Sequence, residues 1–311
     1  MRTVRVGDIA LAVRDEGSGP PVVLVHGFPE LAYSWRHVQS TLAAAGFRVL
    51  APDMRGYGGS SCPAEPAAYG IEELTGDLVG LLDAHGYRRA VFVGHDWGAT
   101  VVWQLALLHP DRVAGLGALS VPFTPRARRL PLEIWRERLA DRFFYIRHFQ
   151  DEGVADAELA KDPERTMRLV LGGLTVDALL GPDDGRGYLD RLAEPDRLPP
   201  WLFDADLRTY AEAFARTGFT GPLNWYRAID RNWAATPHLT GARVIAPCLF
   251  LAGTDDPALA VMPHAGQERH LDDLRGTVLL PGAGHWIQQE RPAEVTEAIL
   301  GFLRSLDPWW T

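Results

Sequence analysis

The chain has 311 residues, 47% of them hydrophobic and 23% charged, with a formal net charge of −9 and a pI near 5.6. That length and composition describe a globular protein of one to three domains and exclude a disordered one, while the acidic balance speaks against a nucleic-acid binder, which would carry a basic stripe. No stretch approaches the roughly 18 uncharged apolar residues of a membrane span, and the two distant cysteines, Cys62 and Cys248, form no disulfide framework and suit a reducing cytoplasm.

In chain order, the alternating runs Thr3–Val6 and Ile9–Val13 meet at Gly7-Asp8 and predict a hairpin. The β-branched burst Val22–Val25 predicts a strand buried on both faces. Helical spacing from Trp35 to Ala45 follows, then a stop at Gly46 and a second buried strand, Arg48–Ala51. Leu74, Leu78, Leu81 and Leu82 form one apolar helical stripe, which Gly86 ends. Ala90–Val93 (strand), Gly98–Leu108 (helix) and Val113–Leu119 (strand) continue the alternation, the signature of a mostly parallel sheet flanked by helices. After Val121-Pro122 the pattern changes: residues 122–238 show helical spacing broken by prolines and no convincing buried strand. Alternation then returns with strands Cys248–Ala252 and Thr277–Leu280 and a helix Pro292–Leu303, with Pro292 suited to its first turn. The expected architecture is an α/β core, residues 1–121 and 239–311, interrupted by a helical cap, residues 122–238. The aromatic ending Pro308-Trp309-Trp310 is expected to pack on the body or on another subunit.

Gly94-His95-Asp96-Trp97-Gly98 lies between a buried strand and a helix, the setting of the nucleophile elbow G-x-S-x-G, with aspartate where serine usually stands. The flanking glycines suit a strained turn whose backbone neighbours approach too closely for a Cβ. The bland alternative is that Asp96 merely caps the helix. Asp255-Asp256 follows the strand Cys248–Ala252, and Gly284-His285-Trp286 follows Thr277–Leu280, so the chain order is nucleophile, acid, histidine. Asp256 is preferred to Asp255 because it completes Gly253-x-x-Asp. The position after Val113–Leu119 holds Ser120 and no carboxylate. His264, Glu268 and His270 lack metal-ligand spacing, and the glycines at 56–59 and 185–187 are misplaced for a dinucleotide; neither metal nor cofactor is expected.

With HGFPE (His26–Glu30), DMRGYGGSS (Asp53–Ser61), GHDWGA (Gly94–Ala99), GPLNWYR (Gly221–Arg227), GTDDPAL (Gly253–Leu259) and GAGHW (Gly282–Trp286), nearly the whole chain resembles the α/β-hydrolase superfamily, specifically its epoxide hydrolase branch. The segment Phe143–Leu159 looks like the first lid region of that family. The resemblance implies that Tyr145 and Tyr226 are lid tyrosines that activate the epoxide oxygen, a role that composition alone would not assign to two of eight tyrosines. His26, His95, Asp53, Arg55 and Tyr57 are read as structural supports.

An epoxide carbon is sp³, so the ring oxygen must be displaced from it, and an ionised carboxylate does this directly to form an alkyl ester. His285, oriented by Asp256, would then activate water, with the backbone N–H groups of Phe28 and Trp97 as oxyanion donors. Trp97, Phe28 and Trp286 are also expected to touch substrate, an apolar epoxide. The expected assembly is a monomer or homodimer without nucleic-acid or membrane partners. The rival activity is haloalkane or haloacid dehalogenation, with the same nucleophile. A non-catalytic ligand-binding homologue would require a lost triad member or lid tyrosine, and all are present.

Overall fold

A computed structural model describes residues 1–306, so the aromatic ending lies outside the described residues. Its eight-stranded sheet opens with the hairpin β1 (Arg2–Val6) and β2 (Ile9–Gly17), followed by β3 (Pro21–Val25). Helix α1 (Arg36–Ala44) leads to β4 (Arg48–Pro52), and α2 (Ile71–Ala84) leads to β5 (Ala90–His95). Helix α3 (Trp97–Leu108) then connects to β6 (Val113–Leu119). The chain leaves the sheet there for a block containing α4 (Pro131–Arg138), β7 (Arg142–Phe144), α5 (Tyr145–His148), α6 (Val154–Ala160), α7 (Pro163–Gly173) and α8 (Val176–Leu179). The block continues through β8 (Leu180–Pro182), α9 (Asp204–Thr217), α10 (Thr220–Arg227) and α11 (Ile229–Ala235). The core resumes with β9 (Cys248–Gly253), α12 (Pro257–Val261), β10 (Leu274–Leu280), α13 (Ile287–Glu290) and α14 (Pro292–Ser305).

The strand order is β1-β2-β4-β3-β5-β6-β9-β10, with β2 antiparallel to both of its neighbours and every other pairing parallel. Every residue of β3, β5, β6 and β9 is buried, as a sheet covered on both faces requires. Alternate residues serve two cores. Val22 and Leu24 join Val38 and Leu42 of α1 and Ile299 of α14, whereas Val23 and Val25 join Leu78 of α2 and Val101 of α3. At about 25 cal/mol per Å² of apolar surface, fully burying each such side chain stabilises by roughly 1.5–3 kcal/mol.

Three expectations need correction. The inserted block is not wholly helical: β7 and β8 pair antiparallel, with Phe143 opposite Gly181. Three-residue strands are too short to show a period of two. The second strand runs to Gly17, not Val13, because its polar half Arg14–Gly17 pairs with β4, and Arg48 grips Asp15 at 2.9 Å. The last strand starts at Leu274 rather than Thr277; as a sheet edge it alternates between exposed and half-buried, and Arg275 and Gly276 hide its apolar run.

The inserted block is fastened to the core at several points. The Tyr33 hydroxyl donates to Asp206 at 2.8 Å, and Arg36 pairs with the same carboxylate at 3.2 Å. Tyr210 Oη donates to Gln289 at 3.1 Å, Trp225 Nε1 to the Arg55 carbonyl at 3.1 Å, and the Ile71 N–H to Asn232 at 2.8 Å. Among the described residues no helix is long and apolar enough to cross a membrane.

Candidate active site

Asp96 sits at the turn between β5 and α3 with φ 53° and ψ −119°, a left-handed value uncommon outside glycine. The glycines around it explain how the turn is tolerated. A Cβ on Gly94 would lie 2.7 Å from the Ala99 nitrogen, and one on Gly98 would strike the Val25 carbonyl. Asp96 stands at the N-cap position of α3, yet its carboxylate makes no capping hydrogen bond. It instead accepts from the Phe28 N–H at 2.8 Å. The Phe28-Pro29 bond is cis.

His285 lies between two carboxylates. Its Nδ1 is 2.9 and 3.0 Å from the two Asp256 oxygens, and its Nε2 faces Asp96 Oδ2 at 3.6 Å, an ion-pair distance too long for a hydrogen bond. Asp256 also accepts the Ala258 N–H at 2.8 Å. Asp255 is exposed and bonds Thr254 instead. Burial alone would raise the Asp96 and Asp256 carboxyls. The nearby His285 outweighs it for both, with the Phe28 N–H helping Asp96 and the Ala258 N–H helping Asp256, and both stay below the ordinary carboxylate range. Burial likewise opposes charge on His285, but Asp256 and then Asp96 hold its pKa well above the usual value.

Tyr145, at the start of α5, and Tyr226, in α10, approach each other and Asp96. Their rings lie 5.8 Å apart, and Tyr226 stands edge-on to Phe28 at 5.3 Å and to Trp97 at 5.0 Å. Burial raises both phenols well above their ordinary pKa, and the negative charge of Asp96 adds to the effect. Both therefore stay protonated and able to donate. Asp96 and the two tyrosines line both of the cavities that meet here. The larger, about 480 Å³, extends past Trp97, Thr100 and Gln104 to Arg126 and Arg138. The smaller, about 30 Å³, is bounded by His285, Phe28, Trp286 and Tyr188.

The structure thus brings Asp96, His285, Asp256, Tyr145, Tyr226, Phe28, Trp97 and Trp286 together. In the unreacted site the Phe28 N–H is bonded to the Asp96 carboxylate and the Trp97 N–H is not; the oxyanion that both are expected to meet forms only during ester hydrolysis. The motif residues taken as supports sit behind the site. His26 Nε2 accepts the Met54 N–H at 2.9 Å, Asp53 accepts from Ala32 and Gly59 at 2.9 Å each, and Arg55 pairs with Asp77. Tyr57 packs edge-on to His26 at 4.8 Å.

Sequence reasoning missed two residues. Glu30 is wholly buried and accepts His95 Nδ1 at 2.7 Å, Gln288 at 2.8 Å and Gln289 at 3.0 Å, while His95 Nε2 reaches the His285 carbonyl at 2.8 Å. Ser120 donates to the same carbonyl at 2.9 Å. The buried carboxylate thus lies under the loop that carries His285. Its place in HGFPE was visible, but its side-chain partners lie more than 60 residues away. Tyr188, facing the smaller cavity, had no motif around it.

An eight-stranded, mostly parallel sheet with a nucleophile elbow and an acid–histidine pair on its following loops is the arrangement of the α/β hydrolases, and residues 20–292 match the family model described as alpha/beta hydrolase fold. The chain belongs to that family. Within it, the chain is 52% identical to epoxide hydrolase A of Mycobacterium tuberculosis over 98% of both chains, and 40% identical to epoxide hydrolase 1 of Siraitia grosvenorii over 97% of both. The crystal structure of epoxide hydrolase A from Mycobacterium thermoresistibile superposes with a TM-score of 0.95 at 53% identity, covering 98% of each chain. These likenesses place the chain in the epoxide hydrolase branch of the family.

Proposed function

We propose that this protein hydrolyses an apolar epoxide to a vicinal diol through an ester on Asp96. The observation that carries this reading is that two phenols, the buried Tyr226 and the half-buried Tyr145, stand with Asp96 on the wall of one cavity, where burial and the Asp96 charge favour the protonated phenols. Asp96 attacks one epoxide carbon, and the C–O bond of the ring breaks as the new C–O ester bond forms. The departing oxygen would be a strongly basic alkoxide. A proton from one phenol, with a hydrogen bond from the other, removes that cost, and general acid help of this kind contributes roughly 10²–10⁴-fold.

Hydrolysis regenerates the enzyme. Neutral His285 takes a proton from water, and the water oxygen attacks Asp96 Cγ. The oxyanion so formed accepts the Phe28 N–H, an interaction worth about 3–4 kcal/mol in comparable sites. Collapse expels the diol oxygen; the two water protons, one held by His285 and one on the new Asp96 carboxyl, go to that oxygen and to the phenolate, and Asp96 keeps the oxygen from the water. Dehalogenation would use the same nucleophile, but a departing halide takes no proton, and the paired phenols would have no task. The inserted residues 122–238 serve as the cap that carries those phenols over the core of residues 1–121 and 239–311. The free thiols of Cys62 and Cys248 suit a reducing, cytoplasmic setting.

A single turnover in ¹⁸O-water tests the scheme: Asp96 should carry the label and the diol should not. Label in the diol from that first turnover, with none in the protein, overturns it.

A further inference from the structure

The two cavities divide the labour at Asp96. Trp97 lines only the larger, and His285 lines only the smaller. A general base acts on a water within about 2.6–3.2 Å of its nitrogen, so the water that His285 activates must sit in the smaller chamber. That chamber, about 30 Å³, holds at most two or three waters, since each needs at least about 10–15 Å³ of such volume. A buried water also needs two to four polar partners. His285 is one, and Asp96 is the group under attack. Tyr145 and Tyr226 are committed to the epoxide oxygen and interact with each other. Most of the remaining wall, including Val170, Leu174 and Leu179, is hydrocarbon.

Two polar side chains remain: Trp286, whose buried Nε1–H has no hydrogen-bond partner among the described residues but can only donate, and Tyr188, whose hydroxyl oxygen can accept. Only 2% exposed, Tyr188 is held by Phe149 at 5.0 Å and Tyr145 at 6.3 Å between ring centroids, yet its hydroxyl makes no hydrogen bond to any described residue. We propose that Tyr188 is a positioning residue for the hydrolytic water, resting on the ester reading of Asp96. One O–H of the water donates to His285 Nε2 and the other to the Tyr188 oxygen, leaving a lone pair aimed at Asp96 Cγ. The proton passes to His285, the water oxygen bonds Cγ, and the ester C–O bond breaks; Tyr188 neither gains nor loses a proton.

Tyr188→Phe removes this one acceptor and keeps the ring packing. A neutral hydrogen bond of this kind contributes about 0.5–1.5 kcal/mol, so ester hydrolysis should slow roughly three- to tenfold. Alkylation should not change, so kcat and KM fall together, kcat/KM holds within twofold, and intact-mass spectrometry at steady state shows more covalent adduct than in the wild type. Leu174→Phe, which fills the chamber and spares the hydroxyl, should slow the same step. An unchanged kcat with no extra adduct, or a kcat/KM that falls as far as kcat, overturns the assignment. Should Tyr188→Phe fail to fold, Leu174→Phe decides: normal ester hydrolysis with the chamber filled overturns it. Wild-type enzyme labelled on Asp96 in ¹⁸O-water alongside a kinetically normal Tyr188→Phe refutes only the role of Tyr188; unlabelled Asp96 refutes the ester itself.

Discussion

His285→Gln should convert the enzyme into a trap for its own intermediate. Glutamine is chosen because its amide can still donate to Asp256, which is buried at 4% exposure and now bonded by His285 at 2.9 Å. Removing that donor outright would leave an unpaired buried charge, at about 3–5 kcal/mol, and confuse loss of catalysis with loss of fold. Alkylation passes no proton to the base, but His285 is the main group that offsets burial at Asp96. The variant therefore leaves that carboxylate with the Phe28 N–H and a higher pKa, and the trap is run on the alkaline side where Asp96 is ionised. Hydrolysis does use the base. Loss of a general base slows such steps about 10²–10⁴-fold, so from an ordinary turnover of about 10 s⁻¹ the ester should last roughly 10–1000 s. Hand mixing therefore suffices. Intact-mass spectrometry should show one equivalent of added mass equal to the whole epoxide, because ring opening loses no atoms, and fragmentation should locate it on Asp96 within the peptide Ala90–Arg112. An adduct on another residue, or wild-type turnover with no adduct, would refute the division of work between Asp96 and His285.

The pH profiles of the two half-reactions should separate. Esterification removes the Asp96 charge that helps hold His285 high, so the pKa of His285 drops in the ester, and kcat falls as pH descends through that lower value. The quantity kcat/KM should hold to lower pH, because Asp96 is depressed and remains ionised; coincident acid limbs would contradict this. Neither profile should lose activity to phenol ionisation below about pH 10, since Tyr145 and Tyr226 lie well above their ordinary value. Tyr145→Phe and Tyr226→Phe should each lower kcat/KM, by about 10–10³-fold, and the double variant should lose nearly all ring opening within the roughly 10²–10⁴ span of acid catalysis; stopped-flow alkylation rates measure both. Glu30→Ala, which strands His95, Gln288 and Gln289, should destabilise the fold by about 3–5 kcal/mol in urea titration, and an unchanged midpoint would show that the buried cluster contributes little. Gly27→Ala places a Cβ against the Asp96 carboxylate and 2.7 Å from the His95 carbonyl oxygen, so it should lose alkylation in the same stopped-flow signal and also lower the urea midpoint.

What could be read in the sequence depended on how local the physics was. The elbow around Asp96 was legible because a buried strand, two glycines and a helix start lie within ten residues, and His285 and Asp256 were legible because each follows a strand end. Tyr145 and Tyr226 were assigned only through resemblance, since nothing in their own neighbourhoods distinguishes them from the other tyrosines. Glu30 and Tyr188 escaped because their significance lies in long-range company: His95 and two glutamines for the first, a chamber shared with His285 for the second. The paired strands β7 and β8 escaped for a related reason, as three residues carry too little periodicity without their partner.

The bonds that tie the inserted block to the core have a consequence for traffic. Asp206 held by Tyr33 and Arg36, Trp225 by the Arg55 carbonyl, and Asn232 by the Ile71 N–H are fixed at separate corners of the block. Lifting it would break them all at once, each worth about 0.5–1.5 kcal/mol net. It is a roof rather than a hatch. The larger cavity beside Trp97 and Gln104 is then the space open to reactant and diol with the block in place, and the pace of exchange is governed by how easily a molecule threads it.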